Sequence, residues 1–208
     1  MNERSRCTLQ RTQRHLEAIY AVQAPDVLDY VVDADTAAVL APGARVGREA
    51  VLVQEVEGEA ALAVFVAAEV VDAVAARSPC DAVEYALDDW AVVVEAGSHF
   101  MLLVRRAARD EQVSLLELET QAEVDKFVTA RLVVGRETDL CARLFGRATL
   151  ATHLSAEERE RYTAAGRLAE PYCRSLDRLP HVDAVLGELR GFYRMSGHAR
   201  MVRLRRAA

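Results

Sequence analysis

The chain has 208 residues, 51% of them hydrophobic and 28% charged, with a formal net charge of −6. That length and composition suit one globular domain with a sizeable core. They exclude a membrane span, because the longest nearly apolar run, residues 60–71, is broken by Glu69 and falls short of the roughly 20 residues needed.

Basic residues are segregated. Six arginines and no acid occupy residues 189–208, whereas residues 17–188 hold 16 basic and 31 acidic residues. Lys126 is the only lysine, Ile19 the only isoleucine and Asn2 the only asparagine. Drift toward GC-rich codons removes these three residue types together, so the arginine excess is no evidence for nucleic-acid binding. The N-terminal residues lack the apolar segment of a secretory signal. Cys7, Cys80, Cys141 and Cys173 are too dispersed for a zinc knuckle or a disulfide framework. The expected setting is cytoplasmic, with reduced thiols.

In chain order, residues 8–22 read as a helix with Leu9, Leu16, Ile19 and Tyr20 toward one side, and 27–33 as a short strand. Residues 41–47 form a Pro/Gly loop. Residues 49–67 hold two β-rich runs around a short Gly-containing turn and predict a hairpin. Val83, Leu87, Trp90, Ala91 and Val94 share a helical face over 81–94, with Asp81 or Ser78 as its cap and Gly97 as its end. Residues 99–106 and 113–119 then read as two strands joined by a turn, and 121–134 as a helix. Beyond Gly135 the strand signal stops. Residues 137–145 read as helical, Ser155–Glu158 is a capping box for a long helix that Pro171 should kink or interrupt, and 182–193 is amphipathic.

The expected fold class is therefore α+β, an antiparallel sheet of about four to five strands with flanking helices, followed by an all-helical C-terminal part. Residues 1–208 are expected to form one domain and one cooperative unit, with a mixed sheet and helix part (1–135) and a helical part (136–208).

The candidate site follows from the second hairpin. If its turn centres on Arg109, His99 faces Glu119 and Met101 faces Glu117 across the strands. Glu95 would sit just before the outgoing strand, and Glu123 and Lys126 on the helix that follows. One imidazole with several carboxylates suits a divalent metal ion, with His99, Glu117 and Glu119 as ligands. Lys126 could polarise a phosphoryl oxygen, because a compact ammonium does this where a guanidinium does not. On that reading Glu95, His99, Glu117, Glu119 and Lys126 would carry metal-dependent hydrolysis of phosphoester bonds in a nuclease-like way. No lysine lies two residues after Glu117, where Glu119 stands, so no nuclease family is assigned.

A one-residue slip of register dissolves this constellation, and Glu123 with Lys126 is also an ordinary i, i+3 helix pair. The sequence holds no G-x-S-x-G, H-E-x-x-H, Walker or G-x-G-x-x-G motif. The leading expectation is therefore a non-catalytic binding or assembly module that self-associates or binds a protein partner, with no cofactor fixed by the sequence beyond the divalent metal ion that the His/Glu cluster could take. Metal-dependent hydrolysis is the alternative, and nucleic-acid contact through the basic C-terminal tail is a third reading.

Overall fold

The computed structural model describes residues 1–42, 47–56, 59–136, 140–146 and 154–207. Among the described residues the protein is mostly helical, with two antiparallel strands in one sheet, so the expected four- to five-stranded α+β sheet is overturned. The packing divides the chain into two compact units. The first holds residues 1–17 and 23–111, and the second residues 18–22 and 112–208.

The long first helix, α1 (Glu3–Tyr20), contributes to both units. In the first unit, Val27–Asp29 is a single 3-10 turn rather than the expected strand, and Val31 forms an isolated bridge with Val64. Asp33 caps α2 (Ala34–Leu40), its side chain accepting from the Thr36 amide, and that hydrogen bond lowers its carboxyl pKa. The first hairpin forms as expected. β1 (Glu49–Val56) pairs antiparallel with β2 (Glu59–Val66), from Glu49 opposite Val66 to Val56 opposite Glu59. The centre of its turn, residues 57 and 58, lies outside the described residues, as do 43–46 of the Pro/Gly loop.

Three helices complete this unit: α3 (Ala68–Ala75), α4 (Pro79–Tyr85) and α5 (Leu87–Ala107). Ser78 caps α4, with Pro79 pre-shaped for its first turn. The single helix expected at 81–94 is thus two, and Gly97 lies inside α5 instead of ending it. The expected strand 99–106 is the second half of that helix. Every residue from Val93 to Leu102 is buried, so this stretch of α5 is covered on all sides and shows no amphipathic stripe. Gly97 is a close approach: a Cβ there would lie 3.2 Å from Thr12 and 3.3 Å from Leu16 of α1. The hairpin, α3 and α4 all pack on α5.

In the second unit, Ser114 caps α6 (Leu115–Val134), so the expected strand 113–119 is its first turns. Gly135 closes α6 in the left-handed region, at φ 79°. α7 (Leu140–Phe145) follows; residues 137–139 of the expected helix lie outside the described residues. The capping box at Ser155 opens α8 (Ala156–Asp177) as expected, and α8 continues past Pro171. α9 (Val182–Arg194) matches the amphipathic segment. The basic tail is itself a helix, α10 (Gly197–Ala207). Helices α6 and α8 pack together, α7 packs on both and α10 on α8, and Phe127, Tyr172, Leu176 and Phe192 are buried side chains of this unit.

A polar network lies within this second core. The Tyr20 hydroxyl donates to Asp125, and Gln121 donates to Tyr20 at 2.9 Å and to Asp125 at 2.8 Å. Burial first, then the Asp125 charge and hydrogen bond, raise the Tyr20 pKa. Arg200 is 1% exposed; it donates to Glu117 at 3.3 Å and to Gln121, and lies over the Phe192 and Tyr193 rings. Arg190 donates to the last carbonyls of α1, at Ala18 and Ile19, and Arg203 pairs with Glu188 at 2.8 Å. Half of the six C-terminal arginines thus make contacts inside this unit.

Candidate metal centre

Two of the five expected site residues come together, on one helix. Glu95 and His99 are four residues apart on α5, so one turn of helix stacks them on the same face. The third member, which sequence reasoning missed, is Glu49, the first residue of β1. One donor atom from each of Glu49, Glu95 and His99 can be chosen so that all three lie within 4.8 Å of one another.

The helix supplies a rigid pair of donors, and the hairpin supplies the third from across a packed face. Nδ1 of His99 lies 3.5 Å from Oε1 of Glu49. The other oxygen of Glu49, Oε2, is buried and takes no hydrogen bond from the described residues. Glu95 and His99 are buried, and the Glu49 side chain is 13% exposed. Next to it, Arg48 pairs with Asp89 in the first turn of α5, which holds the base of the hairpin over the helix.

Atoms bound to one divalent ion at about 2.0–2.2 Å can be no more than about 4.4 Å apart. Three donors spread evenly around such an ion lie at most about 3.8 Å apart, so a triangle with sides up to 4.8 Å closes on an ion when each donor moves in by up to about 0.6–0.8 Å. One imidazole nitrogen with two carboxylates suits Mn²⁺, Fe²⁺ or Zn²⁺. It fits Ca²⁺ poorly, which takes six to eight oxygens.

The remaining expected residues lie on α6, in the second unit. Glu117 is 5% exposed and pairs with Arg200; Glu119 is 6% exposed and lies 3.4 Å from Arg161 of α8. Lys126 is 9% exposed and donates to Glu123 at 2.9 Å. The hairpin that was to set His99 opposite Glu119 does not exist, because both residues are helical. The signal that could have found the centre is Glu95-x-x-x-His99, a spacing that brings two donors together on a helix but scatters them on a strand.

No protein-family model, no curated protein and no solved structure matches the chain. Among the described residues, no helix is long and apolar enough to cross a membrane.

Proposed function

We propose that the chain is a divalent-metal-binding protein whose first unit holds one transition-metal ion through Glu49, Glu95 and His99, and that it acts as a binding module rather than a hydrolase. The observation that carries this reading is the 4.8 Å triangle of one imidazole and two carboxylate donors, contributed by a strand and a helix of the same unit. Two carboxylates held this close repel each other in a poorly solvated place, and a dication turns that repulsion into attraction.

Burial argues for holding an ion over turning over a substrate. A catalytic centre keeps a coordination position open to water and substrate, whereas Glu95 and His99 are nine-tenths or more buried. The sequence-based ligand set of His99, Glu117 and Glu119 is thus replaced by Glu49, Glu95 and His99 in this proposal.

Equilibrium dialysis of the full chain against Mn²⁺ or Zn²⁺, with metal analysis, tests it. One ion per chain is expected, with His99→Ala and Glu95→Gln each weakening binding at least tenfold. Binding unchanged in both variants, or none in the wild type, refutes the site. Metal-dependent cleavage of a phosphodiester that is lost in His99→Ala would restore the hydrolase reading.

A further inference from the structure

The two strands of the hairpin are held unequally. Ala63, Val64, Phe65 and Val66 of β2 are all 8% exposed or less, and Val64 also bonds to the chain at Tyr30 and Val32. Residues 49–52 of β1 are only half-buried, and Val53 and Gln54 are exposed. A two-stranded hairpin is marginal in water without other packing. Both strands pack on α5, but β2 is also covered by α2 and the chain at residues 30–32, whereas β1 is the more exposed strand and ends in polar contacts at its base. Those contacts are Arg48 with Asp89, and Glu49 with His99.

The metal ligands divide along the same line. Glu95 and His99 belong to a helix buried on all sides around them, so their positions are set whether or not an ion is present. Glu49 is the one ligand on the weakly held strand. Oε2 of Glu49 is buried without a hydrogen bond from the described residues, so it offers coordination with no bond to break first. A bond from an ion on α5 to Glu49 therefore ties down β1 more than any other element of the unit.

We propose that the ion at this centre is a fastener that locks β1 onto α5, so that metal occupancy sets how readily the hairpin opens. This rests on the metal-binding reading above. The closed state binds the ion with three ligands, and a state with β1 lifted keeps only the two on α5. The ion then favours the closed state by the ratio of its affinities for the two. If the opened state no longer binds, a free concentration one hundred times Kd suppresses opening about 100-fold.

Hydrogen exchange of the full-length protein, with and without MnCl₂ or ZnCl₂, reads this directly, and calorimetry on the same samples gives Kd. At one hundred times Kd, exchange of β1 amides is expected to slow about 100-fold, and that of the middle of α5 far less. Glu49→Gln, which keeps the size of the side chain, should bind the ion more weakly and lose the selective protection of β1. Binding at one ion per chain with β1 exchange unchanged would overturn the fastener and leave the metal site standing. Protection equal in β1 and the middle of α5 would also overturn it, since the ion would then act only on global stability. Absence of binding in the wild type would overturn both.

Discussion

Gly197, the first residue of α10, offers a sharp test of the second core. A Cβ at this position would lie 2.4 Å from Oε2 of Glu117, 3.0 Å from its Cδ and 3.1 Å from Oε1. Ordinary C···O contacts begin at about 3.3 Å, so the carboxylate would have to retreat by about 1 Å. It is poorly placed to do so, being 5% exposed and 3.3 Å from the buried Arg200 guanidinium. Overpacking costs about 1–3 kcal/mol, and complete loss of a buried charge partner about 3–5 kcal/mol. Because the carboxylate is displaced rather than removed, Gly197→Ala should cost about 2 kcal/mol. The backbone adds no strain, since Gly135 is the only glycine in the left-handed region among the described residues. Removing the obstacle should reverse the sign. In a Glu117→Ala background, Gly197→Ala should stabilise by about 0.5 kcal/mol, the usual gain when alanine replaces glycine at a permitted φ. Urea unfolding of the wild type, both single variants and the double variant yields the coupling, expected at about 2.5 kcal/mol. A coupling under about 0.5 kcal/mol, the level at which independent sites add, would refute the placement of Glu117 against α10.

Two further predictions use the buried tyrosines and thiols. Burial leads in raising the Tyr20 and Tyr172 pKa values. Above about pH 10 the unfolded chain therefore loses phenol protons that the folded chain keeps, and stability falls as pH rises. Tyrosinate absorbance of these two groups should appear together with unfolding, and Tyr20→Phe should flatten the stability loss above pH 10; if both titrate in the folded protein, their burial is refuted. Cys7 and Cys80 are exposed while Cys141 and Cys173 are buried, with the Cys173 thiol pKa raised first by desolvation. A disulfide reagent should modify Cys7 and Cys80 rapidly and Cys141 and Cys173 only on unfolding, which peptide mapping checks.

The parts of the fold legible in the sequence are those whose pattern is locally unambiguous. The 49–66 hairpin has β-rich runs around a turn, the Ser155 helix has its capping box, and α9 is strongly amphipathic. The parts misread are the two most buried helices. Residues His99-Phe-Met-Leu-Leu-Val form a continuous apolar run, and such a run cannot be told from a strand by periodicity when every face is covered. The same holds for the start of α6, where burial runs from Glu117 to Ala130 with only Glu123 partly open. That one misreading carried into the site. It put Glu95 at a helix end and His99 on a strand, although the two lie one turn apart on α5, and it paired His99 with Glu119 across a sheet that does not form. Glu49 could not be reached from the sequence at all, because its approach to α5 depends on how the hairpin docks.

The lone lysine gives the last prediction. Read from the sequence, Lys126 and Glu123 could be an exposed i, i+3 pair, for which Lys126→Arg would change stability by less than about 0.5 kcal/mol. The pair forms, at 2.9 Å, but the Lys126 side chain is only 11% exposed and that of Glu123 19%. The residues around it in α6, Val124, Asp125, Phe127 and Val128, are 2% exposed or less. Arginine keeps the charge but brings a wider, planar head with a fixed fork of donors into a largely buried position. Lys126→Arg should therefore cost about 1–2 kcal/mol, within the range for overpacking a filled site. Lys126→Met separates charge from volume, because it retains an unbranched stem and loses the ammonium beside Glu123. If shape sets the cost, Lys126→Arg is at least as destabilising as Lys126→Met; if charge sets it, arginine is mild and methionine severe. Urea unfolding of the two variants at neutral pH decides between them, and a Lys126→Arg protein as stable as wild type would refute the argument from packing.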